Sequence, residues 1–346
     1  MAGGRVATIP GPPLPVAADT DGPVRGSRDA RMRGPGRTVG AGMPLFTAVR
    51  SFAGEPAIIL RRNLTRGSAL FKIVGKKVLG PDIKLFDIEA PLIARKIKPG
   101  QFIMLRINDT GERIPLTMVD RDPEAGTVTI IFQEVGKTTR QLGTLGPGDA
   151  VADFIGPLGR YHPMGGEHRR VLGVGGGIGV APLLPKTREF KENGNRVESI
   201  IGARSKNLLI LEDEMRAASD DLVVCTDDGS YGHKGFVSEI LKAKLDESSD
   251  YDFVLAIGPP IMMRVCRDLV KPYGVPVYVS LNTIMVDGTG MCGSCRVTVA
   301  GEVKFACVDG PEMRGEEIDF KEMMARQNRY LAEEKCALDR YLKEVG

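Results

Sequence analysis

Three cysteines near the C-terminal end of the chain are spaced for a metal centre. Cys292 and Cys295 are separated by two residues in "GTGMCGSCRV", and Cys307 follows in "KFACVDGPE". Thiolates at such spacing are typical of zinc and iron–sulfur sites, and both kinds of site need a fourth donor. The glycine-dense flanks favour a [2Fe–2S] centre over zinc, because the amides of a glycine-rich loop can donate hydrogen bonds to the cluster sulfurs.

Asp287 is the candidate for the fourth donor. It lies five positions before Cys292, where plant-type [2Fe–2S] ferredoxins have their first cysteine ligand, so the sequence offers Asp-x4-Cys-x2-Cys-x11-Cys. A carboxylate is a harder donor than a thiolate, but it can bind iron. Because Asp287 and Gly288 also form a common turn pair, a purely structural aspartate stays the alternative. Cys336 lies in a helical segment without neighbouring glycines and is not expected to be a ligand.

The remaining cysteines and the histidines are not expected to do chemistry. Cys225 ends the apolar run "LVVC" and Cys266 lies among methionines and valine, so both are predicted to be core residues. The three histidines fall in loops without the spacing of metal ligands, and we predict no catalytic role for any of them; they are His162, His168 and His233.

Two segments of the first half could hold a flavin dinucleotide. "RIPLT", residues 113–117, offers a guanidinium for a pyrophosphate and a threonine hydroxyl for the flavin N5 edge, which makes Thr117 the predicted catalytic residue. "IFQEVGKTT", residues 131–139, offers a glycine for close approach and two threonines for phosphate. The alternative is a charged strand followed by a polar turn. The predicted FAD-binding residues are Arg113, Ile114, Pro115, Leu116, Thr117, Ile131, Phe132, Gln133, Gly136, Thr138 and Thr139.

A glycine-rich turn follows the apolar strand of residues 171–174 and precedes a helical segment. Strand, turn and helix N-terminus in this order can bind a pyrophosphate, although the spacing differs from G-x-G-x-x-G and tight packing is the alternative. Loops at the ends of later strands, "TDDGS" and "GPP", would complete the site. The predicted nucleotide-binding residues are Gly175, Gly176, Gly177, Gly179, Ala181, Pro182, Asp228, Gly258 and Pro259.

The elements around these residues indicate two fold classes in series. Short alternating runs such as "KLFDIEA", "GQFIMLRI" and "GTVTIIFQEV", with turns such as "LGPGDAV" and "IGPLGRY", predict an antiparallel β-barrel. Strands that alternate with helices from residue 171 onward predict a doubly wound α/β sheet. The predicted regions are 1–69, a disordered extension; 70–165, the FAD-binding barrel; 166–278, the NAD(P)-binding domain; 279–318, the small [2Fe–2S] loop region; and 319–346, a helical tail.

Charge and composition exclude several classes of partner. Ten arginines against four acids give residues 1–69 a charge of +6, so the rest of the chain, out of a total of +3, carries −3. A mildly acidic body argues against a nucleic-acid footprint. No apolar run is long enough for a membrane helix, and the clustered cysteines fit a cytoplasmic metalloprotein better than a disulfide scaffold. Residues 1–69 are expected to be disordered; an organelle-targeting peptide is the alternative.

The order of flavin motif, nucleotide turn and cysteine loop resembles the ferredoxin–NADP reductase superfamily, in the branch that carries its own iron–sulfur centre. That branch includes the electron-transfer subunit of dihydroorotate dehydrogenase B. It also includes the small subunit of NADH-dependent reduced ferredoxin:NADP oxidoreductase, which is also known as a sulfide dehydrogenase subunit. The resemblance covers residues 70 to about 330 and is carried by "RIPLT", "VGKTT", "GVGGGIGVAPLL", "TDDGSYGHKGFV", "GPPIMM" and "MCGSCRV".

The resemblance implies an FAD- and [2Fe–2S]-containing subunit that exchanges hydride with NAD(H) and passes single electrons to a partner. The implied partner is a large flavin and [4Fe–4S] subunit, through which ferredoxin would be reached. The dihydroorotate family has cysteine where this chain has Asp287, whereas the transhydrogenase-type small subunit has an aspartate ligand there. The chain agrees with the latter; a dihydroorotate dehydrogenase subunit and a sulfide dehydrogenase or sulfur reductase subunit are the alternatives.

The sequence leaves the choice between NAD and NADP open. Arg204 and Lys206 follow the second strand of the nucleotide domain, where they could hold a 2′-phosphate. Asp227 and Asp228 follow the third strand, where they can face the nicotinamide end. The resemblance to the transhydrogenase-type small subunit favours NADH, and NADP(H) stays possible.

Overall fold

The computed structural model describes residues 47–50, 56–59, 71–164 and 166–345 of the 346-residue chain. Its first part is a near-closed antiparallel barrel sheet. The strands are β1 Thr47–Arg50, β2 Pro56–Ile59, β3 Phe71–Gly80, β4 Ile83–Glu89, β5 Phe102–Arg106, β6 Arg113–Asp122, β7 Thr127–Gln133, β8 Ala150–Val151 and β9 Asp153–Leu158. Their order in the sheet is β1-β2-β9-β5-β6-β7-β4-β3-β8. The predicted antiparallel barrel is confirmed.

Alternation along the strands builds the barrel core. In β4, Phe86 and Ile88 are buried, whereas Asp87 is half-buried and Glu89 is exposed, as the period of two predicts. One turn was predicted wrongly: in "IGPLGRY", strand β9 continues through Leu158, and the chain turns only after it. Pairing of Leu158 with Phe102 of β5 keeps this segment in the sheet.

Two strands lie inside the predicted N-terminal extension. β1 and β2 pair as a hairpin, and Ile58 of β2 pairs with Gly156 of β9 at the edge of the barrel sheet. These eight residues therefore depart from the expectation of an extension without regular structure. The rest of the extension lies outside the described residues.

The second part is a seven-stranded sheet with helices on both faces. The elements are β10 Arg170–Gly176, α3 Val180–Glu192, β11 Arg196–Ala203, α4 Glu212–Ala218, β12 Asp221–Thr226, β13 His233–Lys234, α5 Val237–Glu247, β14 Phe253–Ile257, α6 Pro260–Val270 and β15 Val277–Ser280, and they follow the barrel helices α1 Pro91–Ala94 and α2 Lys137–Thr144. Buried residues of α3 and α4 form one core cluster, and those of α5 and α6 form another. The predicted doubly wound sheet is confirmed.

The C-terminal part is joined to that sheet. Its elements are β16 Arg296–Val299, β17 Glu302–Phe305, α7 Ala306–Asp309, β18 Glu312–Arg314, α8 Phe320–Gln327 and α9 Leu331–Val345. The sheet order is β13-β12-β11-β10-β14-β15-β18, and only β18 runs antiparallel to its neighbour. Single 3-10 turns occupy Gly177–Gly179, Lys206–Leu208, Lys271–Tyr273, Gly315–Glu317 and Asn328–Tyr330.

Cys225 and Cys266 are fully buried in the core, as predicted. Within the ranges that the structure describes, no helix combines the length and the apolar character needed to cross a membrane.

Candidate functional site

Cys295 and Cys307 meet at the base of the C-terminal hairpin. Cys295 directly precedes β16, and Cys307 lies in the one-turn helix α7 that follows β17, so the pairing of the two strands brings them together. Their Sγ atoms are 3.1 Å apart and both side chains are buried. Because the two sulfurs share a proton, the pKa of Cys295 falls to about 7 and that of Cys307 rises. The thiolate needed by a metal ligand is thus accessible near neutral pH.

Asp287 and Cys292 form a second pair at the outer side of the loop. Asp287 Oδ1 accepts a hydrogen bond of 2.7 Å from the Thr289 amide, and Oδ2 accepts one of 2.7 Å from the Cys292 amide. Burial raises the pKa of Asp287, but these amides outweigh burial and the pKa is lowered. Cys292 is exposed, with Sγ 3.2 Å from Ser294 Oγ. The structure thus shows the turn role of Asp287 and also places it beside the predicted ligand Cys292.

The donor set forms two pairs. In the described ranges, no group of three or more His, Cys, Asp and Glu side chains is close enough to hold a single metal ion. A [2Fe–2S] centre takes two donors on each of its two irons, so two neighbouring pairs fit it, whereas one zinc ion needs four donors around one point. Three thiols and one carboxylate therefore fit the predicted binuclear centre.

The cysteine loop packs directly on the barrel. Gly288 has a φ of 77°, and a Cβ at this position would lie 2.8 Å from Leu158 Cδ1 of β9 and 2.8 Å from Met104 Cγ of β5. A side chain there would push the loop away from the barrel. In the next sheet pair, Phe102 of β5 is the register partner of Thr117. The predicted cluster loop thus contacts β5, the strand that pairs with the Thr117 end of β6.

Alternation along β6 divides the "RIPLT" residues between two faces. Ile114 and Leu116 pack against the barrel core, while Arg113, Pro115 and Thr117 share the opposite face. Side chains of Ile114 and Leu116 are therefore turned away from any ligand on the outer face, and only their main chain could meet one.

Arg113 of β6 is held in place by an acid of β9, which lies two strands away in the sheet. Its Nη2 donates to Asp153 Oδ2 at 2.9 Å, and Arg106 Nε donates to the same oxygen at 2.7 Å. Burial raises the pKa of Asp153, but the two guanidinium groups outweigh it and the pKa is lowered. Asp153 was not predicted, because its 40-residue separation from Arg113 leaves no local sequence signal.

The end of β7 leads into the N-terminus of α2. Gly136 precedes this helix, and its amide donates to Thr139 Oγ1 at 3.0 Å. Thr138 Oγ1 donates to Glu112 Oε2 at 3.0 Å, another contact that sequence reasoning missed. Gln133 is half-buried at the strand end, whereas the predicted residues Ile131 and Phe132 are buried in the hydrophobic cores.

The glycine-rich turn lies where the strand order reverses, between β10 and β14. A Cβ on Gly179 would lie 2.3 Å from the Ile257 carbonyl oxygen and 2.8 Å from Gly258 Cα. Glycine at this position therefore lets the two loops touch. Pro259 follows as the cap of α6. Crevices at the carboxyl ends of strands on either side of such a reversal are where α/β sheets bind nucleotides.

The other predicted residues of the turn divide between the crevice and the core. Gly175 and Gly176 end β10, and Gly177 has a φ of 56°, with no atom within 4 Å of the place where a Cβ would lie. Ala181 is buried in the core beneath α3, whereas Pro182 is half-buried. The structure therefore keeps the four glycines together and removes the Ala181 side chain from contact with a ligand.

Loops after β11 and β12 lie side by side. The Asp228 amide donates to the Arg204 carbonyl at 3.1 Å, and the Lys206 amide donates to Ser230 Oγ at 2.8 Å. The Asp228 carboxylate accepts from the Ser230 amide, and hydrogen bonding to the Ser230 hydroxyl and then to this amide lowers the pKa of Asp228. Lys206 Nζ lies 4.9 Å from the Tyr231 ring centroid. Ser230 and Tyr231 thus border the surface that could hold the far end of a dinucleotide. Ser230 belongs to the predicted loop "TDDGS", whereas Tyr231 follows it and was not predicted.

Two family models match the chain. Residues 174–268 match the oxidoreductase NAD-binding domain, and residues 282–319 match the iron–sulfur cluster binding domain of dihydroorotate dehydrogenase B. The first range contains the glycine-rich turn, and the second contains Asp287 and the three clustered cysteines.

Curated relatives match most of the chain. A dihydroorotate dehydrogenase B (NAD(+)) electron transfer subunit homolog from Thermotoga maritima is 46% identical over 280 residues, which is 81% of this chain and 98% of the relative. An uncharacterized protein encoded in the adh 3′ region of Clostridium beijerinckii is 50% identical over 77% of this chain and 92% of its own length. The electron transfer subunit of Geobacillus kaustophilus is 35% identical over 73% of this chain and 98% of its own.

Two solved structures have folds similar to that of this chain. A chain of the NADH-dependent reduced ferredoxin–NADP oxidoreductase, described in a study of flavin-based electron bifurcation, superposes with a TM-score of 0.74 at 45% identity. It covers 80% of this chain and all of its own. A ferredoxin reductase of carbazole 1,9a-dioxygenase superposes with a TM-score of 0.52 at 20% identity, over 60% of this chain and 67% of its own, and shows the shared fold alone.

Proposed function

The chain belongs to the family of dihydroorotate dehydrogenase B electron-transfer subunits and their homologues, and on that premise we propose a role for each of its sites. The family makes it an oxidoreductase subunit whose cofactors are FAD, an iron–sulfur cluster and NAD(H). We propose that it serves as the small subunit of an NADH-dependent ferredoxin:NADP oxidoreductase.

The proposal rests on the packing of the cysteine loop against β5 and β9, because β5 also pairs with β6 at Thr117. A flavin exchanges hydride with a nicotinamide and single electrons with an iron–sulfur centre, so it has to lie between the two. Val119 of β6 shares a core cluster with Val180 of α3, the helix that follows the glycine-rich turn. This contact supports a flavin site on β6 between the cysteine loop and that turn.

In this proposal the residues of the chain bind and orient FAD and the nicotinamide dinucleotide. Arg113, held by Asp153, presents its guanidinium to the FAD pyrophosphate, and the N-terminus of α2 at Gly136 offers amides to phosphate oxygens. Thr117 offers its hydroxyl to the flavin edge. Gly179 and Gly258 keep the crevice narrow enough for the nicotinamide dinucleotide.

The cysteine loop holds the cluster through two ligand pairs. Cys295 and Cys307 would hold one iron, and Asp287 and Cys292 would hold the other. Because Cys292 is exposed, this outer pair faces solvent, where a partner can approach it.

The proposed partner is a large subunit with a further flavin and [4Fe–4S] clusters, which passes electrons to or from ferredoxin and NADP. Asp287 in place of a cysteine favours this function over that of a dihydroorotate dehydrogenase subunit. Sulfide dehydrogenase activity is a further candidate function of the same subunit. Iron–sulfur chemistry suits the reducing cytoplasm, where we propose that the complex works.

Purification of the complex from its native host tests the proposal. We expect a coloured heteromer with FAD and a [2Fe–2S] EPR signal in this chain. NADH and reduced ferredoxin together should reduce NADP. Co-purification with a dihydroorotate-oxidising subunit, or dihydroorotate-dependent reduction of NAD, would instead place the chain in pyrimidine synthesis.

Loss of the Arg113 side chain should weaken FAD binding. A hydrogen bond from a charged group is worth about 1.5–3 kcal/mol, so Arg113→Ala should raise the FAD dissociation constant at least about tenfold. Flavin fluorescence during dialysis would measure this constant. The matched control is Arg121→Ala, the same change at the far end of β6. An equal effect of both changes would show that Arg113 does not bind the FAD phosphates.

NADH should reduce the flavin of this subunit faster than NADPH does. Asp228 lies beside the loop of Arg204, because its amide donates to the Arg204 carbonyl, and the Lys206 ammonium lies over the Tyr231 ring. Stopped-flow bleaching of the flavin with each nucleotide would compare the two rates. A preference for NADPH that Arg204→Ala abolishes would reverse the assignment and identify Arg204 as a ligand of the 2′-phosphate.

A further inference from the structure

A fully buried lysine lies between two acids at the junction of the three regions. Lys186 of α3 has no exposed side-chain surface, and its Nζ lies 3.0 Å from Glu189 Oε2 and 3.4 Å from Glu312 Oε2. Nζ also donates to the His162 carbonyl at 2.8 Å. A buried lysine is costly unless it is paired, and this one faces two carboxyl groups.

Glu312 is connected to both predicted redox sites by short stretches of chain. It begins β18, five positions after Cys307, and the chain between them is the turn of α7. Its carboxyl group packs against Gly100, where a Cβ would lie 2.5 Å from Oε1. Gly100 comes two residues before Phe102, the register partner of Thr117. The carboxyl group therefore packs against the segment that leads into β5, the strand that pairs with the Thr117 end of β6.

The charges around Glu312 do not balance when both acids are ionised. From α3, Lys186 and Glu189 face it; from the segment after β9, Tyr161 lies beside them and donates to Glu189. Lys98, before β5, lies 4.5 Å from the Tyr161 ring centroid, and Arg160 and His162 flank that residue.

Lys186 is thus the one cation within ion-pair distance of the Glu312 carboxyl group in the described ranges, and it is shared with Glu189. In those ranges neither Oε atom of Glu312 accepts a hydrogen bond. Because one lysine is shared by two carboxyl groups, one negative charge is in excess when both acids are ionised. Burial, aided by the charge of Glu189 and opposed by Lys186, raises the pKa of Glu312 to about 7.

We propose that Glu312 is a proton-binding site that takes up one proton when one electron enters the iron–sulfur centre of this chain. This inference rests on the proposed function, which supplies the electron from the nicotinamide. The proton comes from solvent, so the uptake of one electron and one proton leaves the net charge of the buried region unchanged. Two unpaired negative charges in a low-dielectric interior would otherwise repel each other strongly.

The same cluster offers a route for the proton. The Glu189 side chain is 14% exposed, and it contacts Lys186, which in turn faces Glu312. These contacts connect the partly exposed Glu189 to the buried Glu312 carboxyl group through Lys186.

Redox titration of the cluster followed by EPR between pH 6 and pH 9 tests the proposal. In the wild-type protein, the midpoint potential should be flat below about pH 7, where Glu312 is already protonated. Above it, the reduction equilibrium should change tenfold per pH unit, which is 59 mV for one electron. Glu312→Gln mimics the protonated side chain and should make the potential independent of pH.

Glu317→Gln, which removes an exposed acid from the turn after β18, is the matched control and should keep the wild-type slope. Redox-difference infrared spectra at pH 8 give a second readout on the wild-type protein, in which reduction should produce a protonated-carboxyl band. A flat wild-type potential, a slope that persists in Glu312→Gln, or the absence of that band would overturn the proposal. Iron content and the EPR signal test the proposed function separately.

Discussion

Replacement of Asp287 by alanine is expected to empty the iron–sulfur site. Asp287 is the oxygen donor of the outer pair, beside Cys292, and the change also removes the acceptors of two backbone amides in the loop. Loss of a residue that merely supports a metal ligand costs 10–100-fold in metal affinity, so loss of a ligand should weaken iron binding by at least about 100-fold. Iron and acid-labile sulfide per flavin, with the EPR signal of the reduced protein, would measure it.

Two matched variants separate the ligand role of Asp287 from its turn role. Asp287→Asn keeps an oxygen that can accept from the Thr289 amide but binds iron poorly, so it should also lose iron. Asp287→Cys restores four thiolates and should keep a [2Fe–2S] signal at a shifted potential, although it loses both amide acceptors. Full iron with an unchanged EPR signal in Asp287→Ala would make Asp287 a turn residue only.

The cluster loop could be predicted because its signal is local. Cys292, Cys295 and Cys307 lie within sixteen consecutive residues, and the glycines between them mark a tight loop. The barrel and the doubly wound sheet were predictable for a similar reason, since the periods of strand and helix can be read in short windows. Strand limits were less predictable: Gly156 and Pro157 indicated a turn, whereas pairing with β5 holds them in β9.

Contacts between distant segments leave no local signal in the sequence. Asp153 positions Arg113 from another strand, and Glu312 faces Lys186 from another region of the chain. The sequence also cannot tell which face of a strand points to a ligand when both faces are partly apolar. Ile114 and Phe132 were therefore predicted as cofactor-binding residues, and the structure buries their side chains in or against the barrel core.

A valine at position 179 should block reduction of the flavin by NADH. The Cβ of any residue there would lie 2.3 Å from the main-chain Ile257 oxygen, and ordinary contact begins near 3.4 Å. Because backbone atoms cannot rotate away, the turn after β10 and the loop after β14 would have to separate by roughly 1 Å, and a misplacement of this size costs about 100-fold in rate. Stopped-flow flavin bleaching by NADH should therefore slow by about 100-fold in Gly179→Val.

The rest of the protein should tolerate this change, because the clash is confined to the crevice at the strand reversal. FAD content, iron content and reduction of the flavin by dithionite should match those of the wild-type protein. Gly146→Val is the control, since a Cβ at Gly146 meets no atom within 4 Å and the residue lies in the barrel, away from the crevice. Wild-type NADH kinetics in Gly179→Val would show that the crevice between β10 and β14 does not hold the nicotinamide, and the hydride donor would then have to bind elsewhere on the chain.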